Sequence, residues 1–321
     1  MRIFQNADFR FIENRRRAYQ LSGFLAVVTV AAMAYNVATI GSWLNYGVDF
    51  TGGSLVQVQF EVPVTDSELR SALGGATAPP ITRFGEEDAH EFVIRAPLEE
   101  GVSITVVSEE VQAQISAGLP GRAFDVVRTE LVGAKVGSEL QGRAGLAILI
   151  SFALTLLYLA VRFEFRFGLA AVVATVHDIL LSLGLLAVLR MEISLTTVAA
   201  LLTIVGYSLN DKIVVFDRIR ENLHAKGGRK RDHVELMNRS LNETLPRTVL
   251  TGGATLAVLV SLTLLGGPVI REFAIVMVFG IVCGTYSSIF IGAAALIEIQ
   301  KRWGMGKAGA EKKKRPEPAT V

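Results

Sequence analysis

Six stretches of this chain, about Leu21 to Ile40, Leu146 to Val161, Leu169 to Leu189, Ile193 to Phe216, Val249 to Leu265 and Phe273 to Ile299, are apolar over close to the ~20 residues a helix needs to cross a bilayer. Such a pattern leaves few folds open, because backbone polar groups in hydrocarbon must be bonded internally and a helix does this within each segment. Composition agrees: 51% of the 321 residues are apolar and only 19% are charged, outside the range of an ordinary soluble domain. A polytopic α-helical membrane protein with six spans is the expectation.

The basic residues orient those spans. Arg2, Arg10 and Arg15-Arg16-Arg17 precede the first; Arg162 and Arg166 separate the second and third. Arg218, Arg220, Lys226, Arg229, Lys230, Arg231 and Arg239 separate the fourth and fifth, and Lys301, Arg302 and Lys312 to Arg315 follow the last. All lie on one side, which the positive-inside rule makes the cytoplasm; the opposite loops, Arg190 to Glu192 and Gly266 to Glu272, are short and nearly uncharged. Both termini are therefore expected in the cytoplasm, with residues 301–321 a basic tail near anionic lipid. Ala32-Met33-Ala34 also fits a signal-peptide cleavage site, but the apolar run continues beyond it, so an uncleaved first helix is expected.

Residues 41–142 differ in character, holding half of the acidic residues in a third of the chain and no run long enough to span. They predict an extracytoplasmic domain between residues 1–40, the N-terminus and first span, and residues 143–300, the five-helix membrane domain. Leu55 to Glu61 alternates Val56, Val58 and Phe60 with polar residues, the period of a half-buried strand. A helix capped by Thr65 or Asp66 follows, with Leu69 and Leu73 on one face. Ile81 to Phe84 and Glu91 to Arg95 read as strands around a turn at Gly85 to Asp88. Ile104, Val107, Val111 and Ile115 mark a second helix, and Ala123 to Arg128 a last strand. That β-α-β-β-α-β order is the order of a ferredoxin-like sandwich.

The fourth span carries a charge. In Gly206-Tyr207-Ser208-Leu209-Asn210-Asp211-Lys212, the apolar run is interrupted by Asp211 and resumes at Ile213. A carboxylate at the centre of a membrane helix costs about 3 kcal/mol or more, so it needs a protein or wet surrounding and marks a functional candidate. The competing reading makes Asp211 a cap near the cytoplasmic end, beside a Lys212 that snorkels. Tyr207, Asp211 and Val214 or Val215 share a helical face, with Lys212 pointing elsewhere. His177-Asp178, mid-way along the third span, reads either as part of a proton relay or as an interhelical pair. Pro246 suits a helix start, and Arg247 opening the fifth span could reach a carboxylate on a neighbouring helix or simply anchor the helix.

Gly280 and Gly284 form a GxxxG in the last span, a spacing that lets helices approach closely. Asp49, Gly52 and Gly53 lie in Val48-Asp49-Phe50-Thr51-Gly52-Gly53, where the glycines permit a tight turn between the first span and the first strand. The lone Cys283 excludes an intramolecular disulfide, and the four histidines lack metal-ligand spacing. No metal, organic cofactor, enzymatic activity or nucleic-acid partner is expected.

Val48 to Gly53, Arg162-Phe163-Glu164-Phe165-Arg166-Phe167, His177-Asp178, the stretch from Gly206 through Arg220-Glu221-Asn222, and Ser240-Leu241-Asn242-Glu243-Thr244-Leu245-Pro246-Arg247-Thr248 together resemble, in content and order, the blocks of the SecD/SecF family of the resistance-nodulation-division superfamily, and its SecF members in particular. The resemblance covers nearly the whole chain; the fourth loop and the tail depart from it. It implies a subunit of the bacterial inner membrane that works with SecD beside the Sec channel (SecYEG) and uses the proton gradient, with protons as coupling ion, to help exported polypeptides across. By resemblance, Asp211, which follows Asn210, takes part in proton conduction and Arg247 is its partner. Two rival functions are a small-molecule or lipid exporter of the same superfamily and a non-catalytic scaffold. Intramembrane charges weigh against the scaffold, and a single extracytoplasmic domain on six spans looks like half of a twelve-span transporter.

Overall fold

The computed structural model describes residues 7–75, 78, 79, 81–84, 90–96, 104–225 and 232–303. After a 3₁₀ turn at Ile12–Asn14, α1 (Arg15–Ile40) runs to Gly41. The link to the domain holds a short strand β1 (Asn45–Tyr46) and one helical turn, α2 (Val48–Thr51). The domain follows as β2 (Gly53–Phe60), α3 (Asp66–Ala72), β3 (Ile81–Phe84), β4 (Glu91–Ala96), α4 (Ile104–Gly118) and β5 (Phe124–Val132). Next come α5 (Ala134–Arg162), α6 (Phe165–Leu189), β6 (Glu192–Ile193), α7 (Leu195–His224), α8 (His233–Leu265) and α9 (Pro268–Ser287). A π-helical segment (Ser288–Gly292) joins α9 to α10 (Ala293–Trp303). Six helices among the described residues are long and apolar enough to cross a membrane. The expected turn at Gly85 to Asp88, the basic residues 226–231 and the tail from residue 304 lie outside the described residues.

Several boundaries differ from the sequence reading. The helices run past their apolar stretches, because charged segments on the water side continue the helix instead of ending it. Pro246 does not start a helix; it lies inside α8, leaving the carbonyl four residues earlier without its usual N–H donor. The last span is interrupted by the π segment, which hydropathy does not register. The domain is also shorter than residues 41–142: α5 already begins at Ala134, and Leu44 and Phe50 are buried with Leu186, Ile193, Val198 and Leu201 of the membrane part.

Burial sorts the spans. The apolar windows of α7 and of the last span are 56% buried and that of α6 is 44% buried, against 11, 6 and 17% for those of α1, α5 and α8. Helices α6, α7 and α9 thus form the inner group. Close approach of α7 and α9 depends on the two glycines of the GxxxG: a Cβ at Gly280 would run into Ile204, and one at Gly284 would stand 2.8 Å from the Ser208 hydroxyl. At the end of the bundle away from the domain, Asn238 and Asn242 of α8 grip the N-terminal segment. Asn242 Oδ1 accepts from the Phe9 N–H (2.9 Å) and Asn238 Oδ1 from the Ile12 N–H (3.0 Å).

In the domain, the antiparallel sheet has the order β3-β4-β2-β5, and α3 and α4 supply one side of the core. Val56, Val58 and Phe60 face Leu69, Phe92, Ile94, Val111 and Ile115, as the alternation predicts. Thr65 caps α3 with a full capping box: Glu68 N–H donates to Thr65 Oγ1 (3.2 Å) and Thr65 N–H to Glu68 Oε2 (2.8 Å). Three links tie the domain to the spans. β1 pairs in parallel with β6, Arg95 is ion-paired to Glu192, and Gly137 of α5 packs on the backbone of Phe50 and Gly52.

Because that core is self-contained, a fragment of residues 53–132 is expected to unfold in one cooperative transition. In it, Thr65→Ala should cost about 1 kcal/mol in chemical denaturation. The backbone N–H and hydroxyl of Thr65 hold the Glu68 carboxyl below the usual carboxylate range. Its stabilising contribution is therefore complete above the unfolded-state pKa and fades as pH falls through the lowered folded value. Thr65→Ala should remove that part of the acid sensitivity.

Candidate functional site

The polar residues of the inner membrane helices meet around α7. Its start is doubly capped. Ser194 and Thr197 form a reciprocal box, and Asp49 of α2 accepts the Leu195 N–H at 2.8 Å through Oδ2, placing a negative charge at the helix N-terminus. Asp49 therefore docks the link before the domain onto the span that carries Asp211. The next residues make the turn: Gly52 and Gly53 have φ of 70° and 131°, angles that a side chain would strain, and these swing the chain from α2 into β2.

Asp211 is buried, 8% exposed, and points towards α8, where the Thr248 hydroxyl donates to Oδ1 at 2.7 Å. Its second oxygen, Oδ2, has no hydrogen-bond partner among the described residues. Ser288, the first residue of the π-helical segment, lies beside the carboxylate. π segments recur where a helix has to present groups that a regular α-helix would turn away, often at functional sites. Arg247 is exposed on α8 and adds a positive charge to the surroundings of Asp211, but the two are not in ion-pair contact among the described residues. Tyr207 is half-buried and its hydroxyl reaches Thr255 Oγ1 of α8 at 3.5 Å; Asn210 is exposed on the outward face of α7.

Lys212 does not snorkel. It is wholly buried and faces α6, where Nζ donates to Asp178 Oδ2 at 2.6 Å, to Ser208 Oγ and to the Ser208 carbonyl at 3.5 Å. One residue along a helix is a turn of about 100°, so Asp211 and Lys212 face different neighbours. Asp178, 1% exposed, also accepts from Ser208 Oγ (2.5 Å) and contacts His177 Nδ1 (3.1 Å) and Cys283 Sγ (3.8 Å) through Oδ1. His177 Nε2 continues to Ser22 of α1 at 3.0 Å, and Ser22 to the Tyr286 hydroxyl at 3.3 Å. Ligand atoms of His177, Asp178 and Cys283 fall within 4.8 Å of one another, a grouping that joins the third and last spans. The chain's own cation, the Lys212 ammonium, already neutralises the carboxylate there.

The structure thus separates the expected site into two places on α7: Asp211 with Thr248, Ser288 and the nearby charge of Arg247, and Asp178 with His177 and Lys212. The sequence reading gives Thr248, Ser288, Ser208, Ser22 and Tyr286 no part in the site and takes Lys212 as a snorkelling residue. For Lys212 a signal existed, since Ser208 and Lys212 are four apart on the face opposite the depth of Asp178.

The family description "Protein export membrane protein SecD/SecF, C-terminal" matches residues 113–302, and "SecD/SecF GG Motif" matches residues 37–64, which hold Gly52 and Gly53. The protein translocase subunit SecF of Gemmatimonas aurantiaca is 43% identical over 311 residues, 94% of this chain and 90% of its own length. The chain belongs to the SecF family of protein translocase subunits. SecF of Vibrio alginolyticus is 42% identical over 85% of each chain. Among solved structures, SecDF from Thermus thermophilus, described as a translocon-associated membrane protein, superposes with a TM-score of 0.80 at 37% identity. The match covers 94% of this chain and 40% of the SecDF chain; against SecDF in a super-membrane-facing form the TM-score is 0.66. Membership makes this chain an integral membrane subunit of the Sec protein-export system.

If Asp49 caps α7, Asp49→Ala should destabilise the membrane domain by about 1 kcal/mol and Asp49→Asn, which can still accept the bond, by only a few tenths. Thermal unfolding of the full chain in detergent measures the difference.

Proposed function

We propose that this chain is the SecF half of a proton-driven export motor in the bacterial inner membrane, with SecD as the other half and protons as the coupling ion. One observation carries the reading: Asp211 is a carboxylate buried in one of the two most buried spans, with one oxygen lacking a hydrogen-bond partner among the described residues. Loading a proton onto that oxygen removes a large cost of keeping the charge in the membrane. It also changes what the α7 face can pack against. The π segment at Ser288 gives that face a neighbour whose backbone is irregular and able to readjust.

A surface for SecD is supported by the outward faces of α7 and α8. Thr203, Gly206 and Asn210 on α7 and Arg247 and Thr251 on α8 are exposed at membrane depth, polar or small where lipid would favour Leu or Phe. With SecD seated there, Arg247 acquires a protein surrounding beside Asp211. The Sec channel (SecYEG) and exported polypeptides are further partners of this reading, and both termini lie in the cytoplasm. The domain fits a ferredoxin-like sandwich, supported by the β-α-β-β-α-β order and the strand order β3-β4-β2-β5.

Coupling runs from α7 outward. Asp49 on the α7 N-terminus, β6 against β1, and Arg95 on Glu192 give three routes by which a shift of α7 reaches the domain. Proton loading at Asp211 then changes the balance between two domain orientations. The poorer superposition on the membrane-facing SecDF form supports a family fold whose parts take more than one arrangement.

Asp211→Asn keeps volume and hydrogen bonding but removes the titratable group. In inverted membrane vesicles with SecD present, proton-dependent export should be lost while insertion of the chain is unchanged; normal export in this variant would overturn the motor reading. Single cysteines at Thr203 or Gly206 are expected to crosslink to SecD, whereas one at Leu154 on the outward side of α5 is not.

A further inference from the structure

The two carboxylates flanking the middle of α7 are treated very differently by their neighbours. Asp178 is saturated. Oδ2 receives the Lys212 ammonium and the Ser208 hydroxyl, and Oδ1 meets His177 Nδ1 and Cys283 Sγ. Lys212 in turn has three N–H donors and three acceptors, Asp178 Oδ2, Ser208 Oγ and the Ser208 carbonyl, so it is as fully used as its carboxylate. Asp211 accepts the Thr248 hydroxyl at Oδ1, its Oδ2 has no hydrogen-bond partner among the described residues, and the Ser288 side chain and the charges of Lys212 and Arg247 lie near.

We propose that Lys212 is a positioning residue for the proton-coupled step: by holding Asp178 as a permanent carboxylate it leaves Asp211 as the one of the two that takes up and releases a proton. This rests on the proton-driven reading above and assigns its chemistry. In the step, one proton adds to Asp211 Oδ2 and later leaves it, while Lys212 keeps its three protons and Asp178 takes none. A proton on Asp178 would have to break an ion pair that has no water to replace it, because both partners are buried. The geometry also divides the motion. The ion pair pins α7 to α6, so neutralising Asp211 changes the contact of α7 with α8 and the π segment and leaves the α6 contact in place. Adjacent residues of opposite charge on one helix thus serve opposite ends, Lys212 as the fixed side and Asp211 as the switching side.

The test counts protonating carboxyls in the full chain reconstituted with SecD in lipid vesicles, by infrared difference spectra between neutral and acid pH. The expected result is one carboxylic-acid band from the membrane interior, lost in Asp211→Asn and kept in the Asp178→Asn/Lys212→Thr double variant. Lys212→Thr alone should add a second band, removed when Asp178→Asn is added, and should turn the pH profile of proton uptake from one step into two. A neutral pair that only held the helices together would leave the band count unchanged in Lys212→Thr. A wild-type band that disappears in the double variant would overturn the proposal, as would Lys212→Thr with no new band. Should Lys212→Thr fail to insert, the double variant against wild type still decides. Persistence of the band in Asp211→Asn together with normal export counts against the motor reading itself, whereas loss of the band only with Asp178 counts against the role of Lys212.

Discussion

A charged group inside a bilayer has to find its partner within the protein, and the packing of α6, α7, α8 and α9 follows from that requirement. α7 carries Ser208, Asp211 and Lys212 within about one turn and a half. Each needs a different neighbour, so the helix must be surrounded, and it is among the most buried of the six spans. The small residues serve the same end: Gly280 and Gly284 bring α9 close enough to close the space around Ser208, and Cys283 beside them reaches Asp178. A bulkier seam would hold the helices apart and admit lipid or water to the ion pair.

The two ends of the same helix are tied down by different chemistry. At the domain end, its N-terminus rests on Asp49, and the strand pair β1 with β6 and the Arg95 to Glu192 ion pair bind the domain to the connection before it. The Arg95 guanidinium is pushed down from its ordinary value by burial, with Glu272 nearby acting in the opposite sense, so the contact is a partly desolvated one rather than a water-exposed bridge. At the opposite end, Arg218 binds Glu243 and Glu221, Asn222 donates to Glu243 (2.8 Å), and Asp217 pairs with Arg162 and Arg220. Phe163 lies under both arginines. Polar residues in the Arg162 to Phe167, Arg218 to Asn222 and Ser240 to Thr248 blocks therefore clamp this end of α5, α7 and α8 together.

Much of this was legible in the residue order. Hydropathy runs marked the six spans, because a bilayer demands about twenty apolar residues from any helix. Alternation at Val56, Val58 and Phe60 placed β2, and Thr65 or Asp66 as a cap placed the start of α3, since strand period and capping are local properties. Asp211, His177-Asp178 and the GxxxG stood out because polar and small residues in apolar runs are costly or conspicuous. Helix ends were less legible: Ala134 and His233 begin helices in polar sequence, and Pro246 sits within one, because tertiary contacts override a local preference of a few tenths to a few kcal/mol.

What the sequence by itself determined, then, is the class of protein, the number of spans and the existence of charged groups within them, all of which follow from short-range periodicity and the cost of charge in hydrocarbon. Only the tertiary structure decided which charge faces which. Lys212 and Asp211 are neighbours in sequence with no local rule to say where each points; packing of α6 on one side and α8 on the other turns one into a buried partner of Asp178 and leaves the other with an oxygen unbonded among the described residues. The docking of Asp49 on α7 and the π segment at Ser288 have the same origin, since both are made by contacts between segments far apart in the chain.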